Sequence, residues 1–150
     1  MNKREYKGFL KLKYIVVKNV PISEDKEFGG LISASVMKEI EHKVACSILV
    51  YRIPISGLEI EFFRSILGLS QRRFAELFKL SQVAILKWER EKKKRLSLLN
   101  EIAFRVVMAK HFNLNLETKY VVDGPEKYPK HLIVNFDLDV SELIDAALAA

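Results

Sequence analysis

Cysteine is nearly absent: the 150 residues include one, Cys46. A single thiol can build neither an internal disulfide nor a thiolate zinc cluster. Its neighbours Val44, Ala45, Ile48 and Leu49 are apolar, so it reads as a small buried hydrophobe. Proline (4) and glycine (6) are scarce, which excludes collagen-like and linker-like chains. No stretch approaches the roughly 20 apolar residues of a membrane span. The run Met1 to Lys7 leads into alternating apolar residues and lysines and lacks the apolar core of a secretory signal. A soluble, cytoplasmic protein with no membrane partner is expected. The histidines, His42, His111 and His131, have no ligand spacing, and no Gly-rich phosphate loop, nucleophile elbow or His-Glu-x-x-His pattern occurs. The expectation is therefore no enzyme, no metal and no cofactor.

Apolar residues and charge are both plentiful. Hydrophobic residues make up 49% and charged residues 29%, enough for a packed core. The net charge is +6 and is unevenly placed: residues 1–56 carry +4, residues 57–116 carry +6 and residues 117–150 carry −4. Ser70 to Arg95 alone holds nine basic residues (Arg72, Arg73, Lys79, Lys87, Arg90, Lys92, Lys93, Lys94 and Arg95) against three acids. A basic balance permits nucleic acid or an anionic surface as partner.

Hydropathy patterning suggests three segments. Residues 8–20 read as one strand, stopped by Pro21, with Ser23 to Lys26 turn-like and a second short strand starting at Phe28. Ser33 or Ser35 caps a helix carrying Val36, Ile40, Val44 and Ile48. Ile53 to Ser56 is extended, since proline disfavours helix in the residue before it. Four helical pieces follow. The first carries Leu58, Phe62, Phe63, Ile66 and Leu67 and ends at Gly68. Ser70 caps the second and Ser81 the third. The fourth, Leu96 to Phe112, aligns Leu99, Ile102, Ala103 and Val106 on one face, with Phe104, Val107 and Met108 left over. That apolar surplus implies a covering element or subunit. Asp123-Gly124-Pro125 is a turn, His131 to Phe136 a strand, and Ser141 caps a tail helix over 142–149.

The chemistry-bearing segment is Ser70 to Arg90: two short capped helices joined by a tight turn. Phe74, Leu77, Leu80, Ile85 and Trp88 lie where a shared core would form, and Ala75 faces the turn. Gln82, Val83, Ala84 and Lys87 are left on the outer, N-terminal side of the second helix. A helix so presented fits the major groove of B-DNA, about 12 Å wide.

Leu69-Ser70-Gln71, Phe74-Ala75-Glu76, Leu80-Ser81 and Trp88-Glu89 closely resemble the helix-turn-helix of the lambda-repressor-like (Xre) regulators, over residues 57–112. Lys79 stands where that family usually has glycine, so a left-handed backbone there costs on the order of 1 kcal/mol. The resemblance implies a mainly α protein: a lambda-repressor-like helix-turn-helix domain at 57–116 with a small flanking β element from the N-terminal segment 1–56 and the C-terminal segment 117–150. It also implies a sequence-specific double-stranded-DNA-binding transcription regulator, a repressor, working as a homodimer. In it Gln71 holds a DNA phosphate with its side chain and helix N-terminus, and Arg72 and Ser81 are further DNA-binding residues. Gln82, Val83 and Lys87 face base edges, where Gln pairs with adenine, Val touches a thymine methyl and Lys donates to guanine, with Ala84 a further DNA-binding residue on the same outer side. Arg90 and the run Lys92, Lys93, Lys94 and Arg95 meet phosphates. The plainer readings are an ordinary exposed residue for Gln82, packing for Val83 and a solvated loop for the lysines.

The layout, strands before a helix-turn-helix with an Ile53-Pro54-Ile55-Ser56-Gly57-Leu58 lead-in, also resembles MqsA-type and HigA-type antitoxins. The zinc-binding members use cysteine pairs, so no zinc carries over. That layout implies a toxin protein as further partner. The alternative reading is a protein-interaction module that neutralises such a toxin, with DNA binding secondary.

Overall fold

A computed structural model describes residues 3–25, 29–117 and 127–149. It divides the chain into two compact units, residues 1–47 with 129–150, and residues 48–128. The fold is mixed, with six helices and a three-stranded sheet among the described residues.

In the first unit, β1 (Lys3–Phe9) and β2 (Leu12–Pro21) form an antiparallel hairpin. β3 (Ser23–Asp25) and β4 (Gly29–Leu31) form a second, smaller pair. The single strand expected over 8–20 is thus a hairpin: the chain reverses at Leu10, whose φ is 52°. A left-handed leucine is not a sequence-level turn signal. The turn expected over 23–26 likewise opens with strand, β3. The strand start at Phe28 and the turn at Asp123-Gly124-Pro125 lie outside the described residues. β5 (Leu132–Asn135) pairs parallel to β2, with Ile15 opposite Leu132 and Val17 opposite Val134, so β2 is the central strand. The N- and C-terminal segments, separate in sequence, share this sheet. β2 is accordingly the strand with the β-branched run Ile15-Val16-Val17, all buried.

α1 (Ala34–Val50) starts at Ser33, whose Oγ accepts from the Val36 amide at 3.2 Å. Its Ile40, Val44 and Ile48 are buried, as their spacing indicates. α6 (Val140–Ala149) is capped by Asp139 and not by Ser141. The Asp139 carboxylate accepts from the Glu142 amide at 2.8 Å, and Glu142 accepts from the Asp139 amide at 3.3 Å, a reciprocal cap. Cys46 is buried, and burial pushes its thiol up to about 12.

The second unit contains α2 (Gly57–Leu67), α3 (Gln71–Leu77), α4 (Gln82–Arg90) and α5 (Leu98–His111). Its core is aromatic. Phe63 meets Phe104 edge-on with centroids 5.2 Å apart, and Phe78 stacks on Phe104 at 5.6 Å. Phe74 stands edge-on to Phe78 at 5.2 Å. Ile60, Ile85 and Met108 are also fully buried. Leu77 and Leu80, expected in this core, are exposed. α3 has only two turns, and Phe74 with Phe78 already fills its inner side.

α5 buries a different face from the one expected. Leu99 (79% exposed) and Val106 (48% exposed) point outward, while Glu101, Phe104, Arg105 and Met108 are buried at helical spacing. The cause is a buried ion pair. Arg105 donates to Glu101 at 3.0 Å and to the carbonyl of Arg52 at 3.0 Å, and Glu101 accepts from the Ile55 amide at 2.8 Å. With these partners, two charged side chains can occupy the inner face. Desolvation lowers the Arg105 pKa, opposed by the attraction of Glu101.

Candidate nucleic-acid interface

α3 and α4 are short because each has a side-chain cap and a break between them. Ser70 Oγ accepts from the Arg73 amide at 3.2 Å, and Ser81 Oγ accepts from the Ala84 amide at 3.3 Å. Between the helices, the Phe78 and Leu80 amides both donate to the Ala75 carbonyl at 3.0 Å, and the Lys79 amide donates to Glu76 at 3.1 Å. Lys79 is left-handed, with φ 54°. Ala75, whose carbonyl takes the first two of these bonds, is fully buried. Preceding α3, Gly68 (φ 65°) ends α2, its amide donating to Ser65 at 3.0 Å.

α4 divides cleanly. At about 100° per residue, Gln82, Leu86, Arg90, Val83 and Lys87 fall in that order across an arc of about 140°. Ala84, Trp88, Ile85 and Glu89 occupy the opposite arc. All five of the first group are exposed, Val83 at 72%, whereas Ile85 and Glu89 are buried and Ala84 and Trp88 half-buried. Val83 therefore does not serve as packing. Ala84, expected on the outer side, faces partly inward, and Trp88, expected as core, is only half-buried. Leu86 takes an outer position that the sequence reading did not assign.

Two devices set the rotation and depth of α4. The Arg64 guanidinium on α2 donates from Nε to both Glu89 oxygens (2.8 and 3.1 Å) and from Nη2 to Oε1 (2.8 Å), while Nη1 binds the Leu69 carbonyl at 3.1 Å. The Glu89 hydrogen bond raises the Arg64 pKa against the opposing effect of burial. The second device is Gly57. A Cβ there would lie 2.2 Å from the Trp88 carbonyl and 2.9 Å from that of Glu91, so only glycine lets the start of α2 pass the end of α4.

The basic residues separate by environment. Arg72, Arg73, Lys79, Lys87, Arg90, Lys92, Lys93 and Lys94 are exposed. Arg72 lies 3.9 Å from Glu76 and Lys94 3.6 Å from Glu91, both solvent-exposed contacts of little energetic weight. Gln71 opens α3 half-buried. Arg95 departs from the expected phosphate-contacting run: it binds Glu101 through Nε (2.9 Å) and Nη2 (2.8 Å). The segment after α4 is also tied back, since Lys92 O accepts from the Leu58 amide at 3.1 Å and the Leu96 amide donates to Ile55 O at 2.8 Å.

Glu59 makes a further buried anchor that the sequence did not announce. Its Oε1 accepts from the Ser56 amide (2.8 Å), the Ser56 hydroxyl (2.6 Å) and the Tyr128 hydroxyl (2.6 Å). Desolvation, reinforced by the Glu59 charge, raises the Tyr128 pKa. The only legible hint was the Ser56-x-x-Glu59 spacing of a capping box. Among the described residues, no group of three or more His, Cys, Asp or Glu side chains could hold a metal ion, and no helix is long and apolar enough to cross a membrane. Comparisons with protein-family models, with curated proteins and with solved structures find no match.

Proposed function

We propose that this chain is a sequence-specific double-stranded-DNA-binding transcription regulator, a repressor, whose residues 57–116 form a lambda-repressor-like helix-turn-helix domain. α3 and α4 are its two helices, and α4 enters the major groove. Gln82, Val83 and Lys87 face base edges. Arg72, Arg90, Lys92, Lys93 and Lys94 neutralise phosphates, with Gln71 and Ser81 close to the backbone. The observation that carries this reading is the division of α4. A buried arc is locked by Arg64 and Glu89, and a wholly exposed arc bears one amide, two cations and two apolar side chains.

The regulator acts as a two-fold dimer, because one such helix reads only a few base pairs and two half-sites about 34 Å apart multiply affinity. The outward apolar face of α5, with Leu98, Leu99 and Val106 exposed, is the surface for the second copy. Sedimentation at micromolar concentration tests this. Wild type sediments as a dimer and Leu99→Glu as a monomer, and a monomeric wild type removes the dimer.

Random-site selection followed by binding measurements tests the function. Wild type enriches a defined site. Gln82→Ala with Lys87→Ala loses that preference, at about 1–3 kcal/mol per base contact, with unchanged helicity because both side chains are exposed. An unchanged site preference in the double variant would remove α4 as the reading element.

A further inference from the structure

The hairpin of the first unit turns on a leucine. Phe9 pairs with Leu12, so Leu10 and Lys11 are the two central residues of the turn. Leu10, the first of them, is left-handed with φ 52°. That position suits glycine, because a leucine Cβ crowds the backbone there. The hairpin does have a left-handed glycine, but at Gly8 (φ 79°), beside a register shift. Phe9 and Leu12, flanking the turn, are buried, whereas Leu10 is 59% exposed. Two core residues thus anchor the turn, and an apolar side chain in a disfavoured conformation faces solvent at its apex. A backbone outlier of this kind points to a task beyond packing.

The surrounding charge indicates the task. Lys7, Lys11 and Lys13 are exposed around Leu10. From Tyr6 to Ser23 the charged residues are Lys7, Lys11, Lys13 and Lys18, with no acid among them. Lysines on an edge strand keep foreign strands from pairing, and Lys7 on β1 has that use. Lys13 has no such need, since β2 is the central strand, and Lys11 lies in the turn. An apolar apex ringed by cations matches the minor groove of B-DNA. There phosphates line both rims, and an inserted leucine can part the stacked bases between them.

Size decides how such a contact works. A stable interface takes about 20–30 residues a side, far more than one turn offers. The turn therefore acts as the second contact of a partner that another part of the chain already holds, where linkage makes a weak contact count. We propose that the β1–β2 turn is a second DNA-contacting element. Leu10 is the wedge in the minor groove, and Lys7, Lys11 and Lys13 meet phosphates on its rims. The inference rests on the DNA reading proposed above and extends it to the first unit. Pyrimidine–purine steps unstack most easily, so the site carries one such step per half-site outside the base pairs that α4 reads.

The test uses the full chain and the duplex obtained by random-site selection. Leu10→Gly removes the wedge and fits the left-handed turn better than leucine, so the hairpin still forms. In hydroxyl-radical footprints wild type protects a patch of minor-groove sugars beyond the α4 contacts, and Leu10→Gly leaves that patch open. A 2-aminopurine placed in the patch brightens when wild type binds and stays dim with Leu10→Gly. Affinity of Leu10→Gly falls on the order of tenfold. Lys11→Gln with Lys13→Gln lowers the dependence of log affinity on log salt by about 0.9 per lysine and keeps the sequence preference of α4.

Site-specific binding in which Leu10→Gly matches wild type in footprint and affinity overturns the inference and leaves the DNA reading standing. A selection that enriches no sequence overturns both. Binding to phosphatidylserine vesicles that Leu10→Gly abolishes, with DNA binding unchanged, also overturns it and assigns the turn to an anionic membrane surface.

Discussion

The Arg64 guanidinium grips the Glu89 carboxylate through a fork, Nε to Oε2 at 2.8 Å and Nη2 to Oε1 at 2.8 Å, joining the end of α2 to the last turn of α4. A fork constrains rotation as well as distance, because two parallel bonds must be kept at once. It therefore holds the outer arc of α4 at a fixed angle.

Glu89→Ala is expected to lower stability by roughly 3 kcal/mol, since it strands a half-buried cation. It also broadens site selection, because α4 can then rotate. Urea unfolding and random-site selection read the two effects. A variant as stable as wild type would mean that apolar packing alone holds α4.

Lys79 has a left-handed backbone in a turn whose hydrogen bonds leave it no alternative. Lys79→Gly relieves that strain and makes the unfolded chain more flexible, so the net gain is about 0.5–1 kcal/mol. Lys79→Ala retains the Cβ and gives no such gain. Thermal unfolding of the two variants side by side decides the matter, and a destabilising Lys79→Gly would show that the lysine contributes more through its side chain than its backbone costs.

The basic run after α4 divides at residue 95. Lys92→Gln, Lys93→Gln and Lys94→Gln should each reduce the dependence of log affinity on log salt by about 0.9 while leaving stability within about 0.5 kcal/mol. Arg95→Gln does the reverse. It loses the two bonds to buried Glu101 and destabilises the second unit with little change in salt slope. Equal salt effects from all four variants would mean that Arg95 leaves Glu101 to meet phosphate.

Cys46 offers a pH test of the first unit. Burial moves its thiol from 9.0 to about 12. Above pH 9 the unfolded chain gives up a proton that the folded chain keeps, so stability is full below that pH and declines up to about 12. Cys46→Ala lacks this decline. Denaturation series from pH 8 to about 11 should show the wild type losing stability faster than Cys46→Ala. Parallel curves would place the thiol in water.

What the sequence decided by itself was local. Ser70 and Ser81 announce two short helices because a hydroxyl before a helix satisfies an amide three residues on, and both caps form. The periodicity of Gln82 to Arg90 places Gln82, Val83, Lys87 and Arg90 outside and Ile85 inside without reference to any distant residue. Tertiary structure decided whatever depends on a remote partner. The parallel pairing of β2 with β5 joins residues more than a hundred positions apart. The inner face of α5 belongs to Glu101 and Arg105 because Arg52, Ile53 and Ile55 bring backbone groups to them. Arg95 turns away from its lysine neighbours for the same carboxylate. Hydropathy assigns charged residues to solvent, and only a folded chain can supply the buried partners that reverse that assignment.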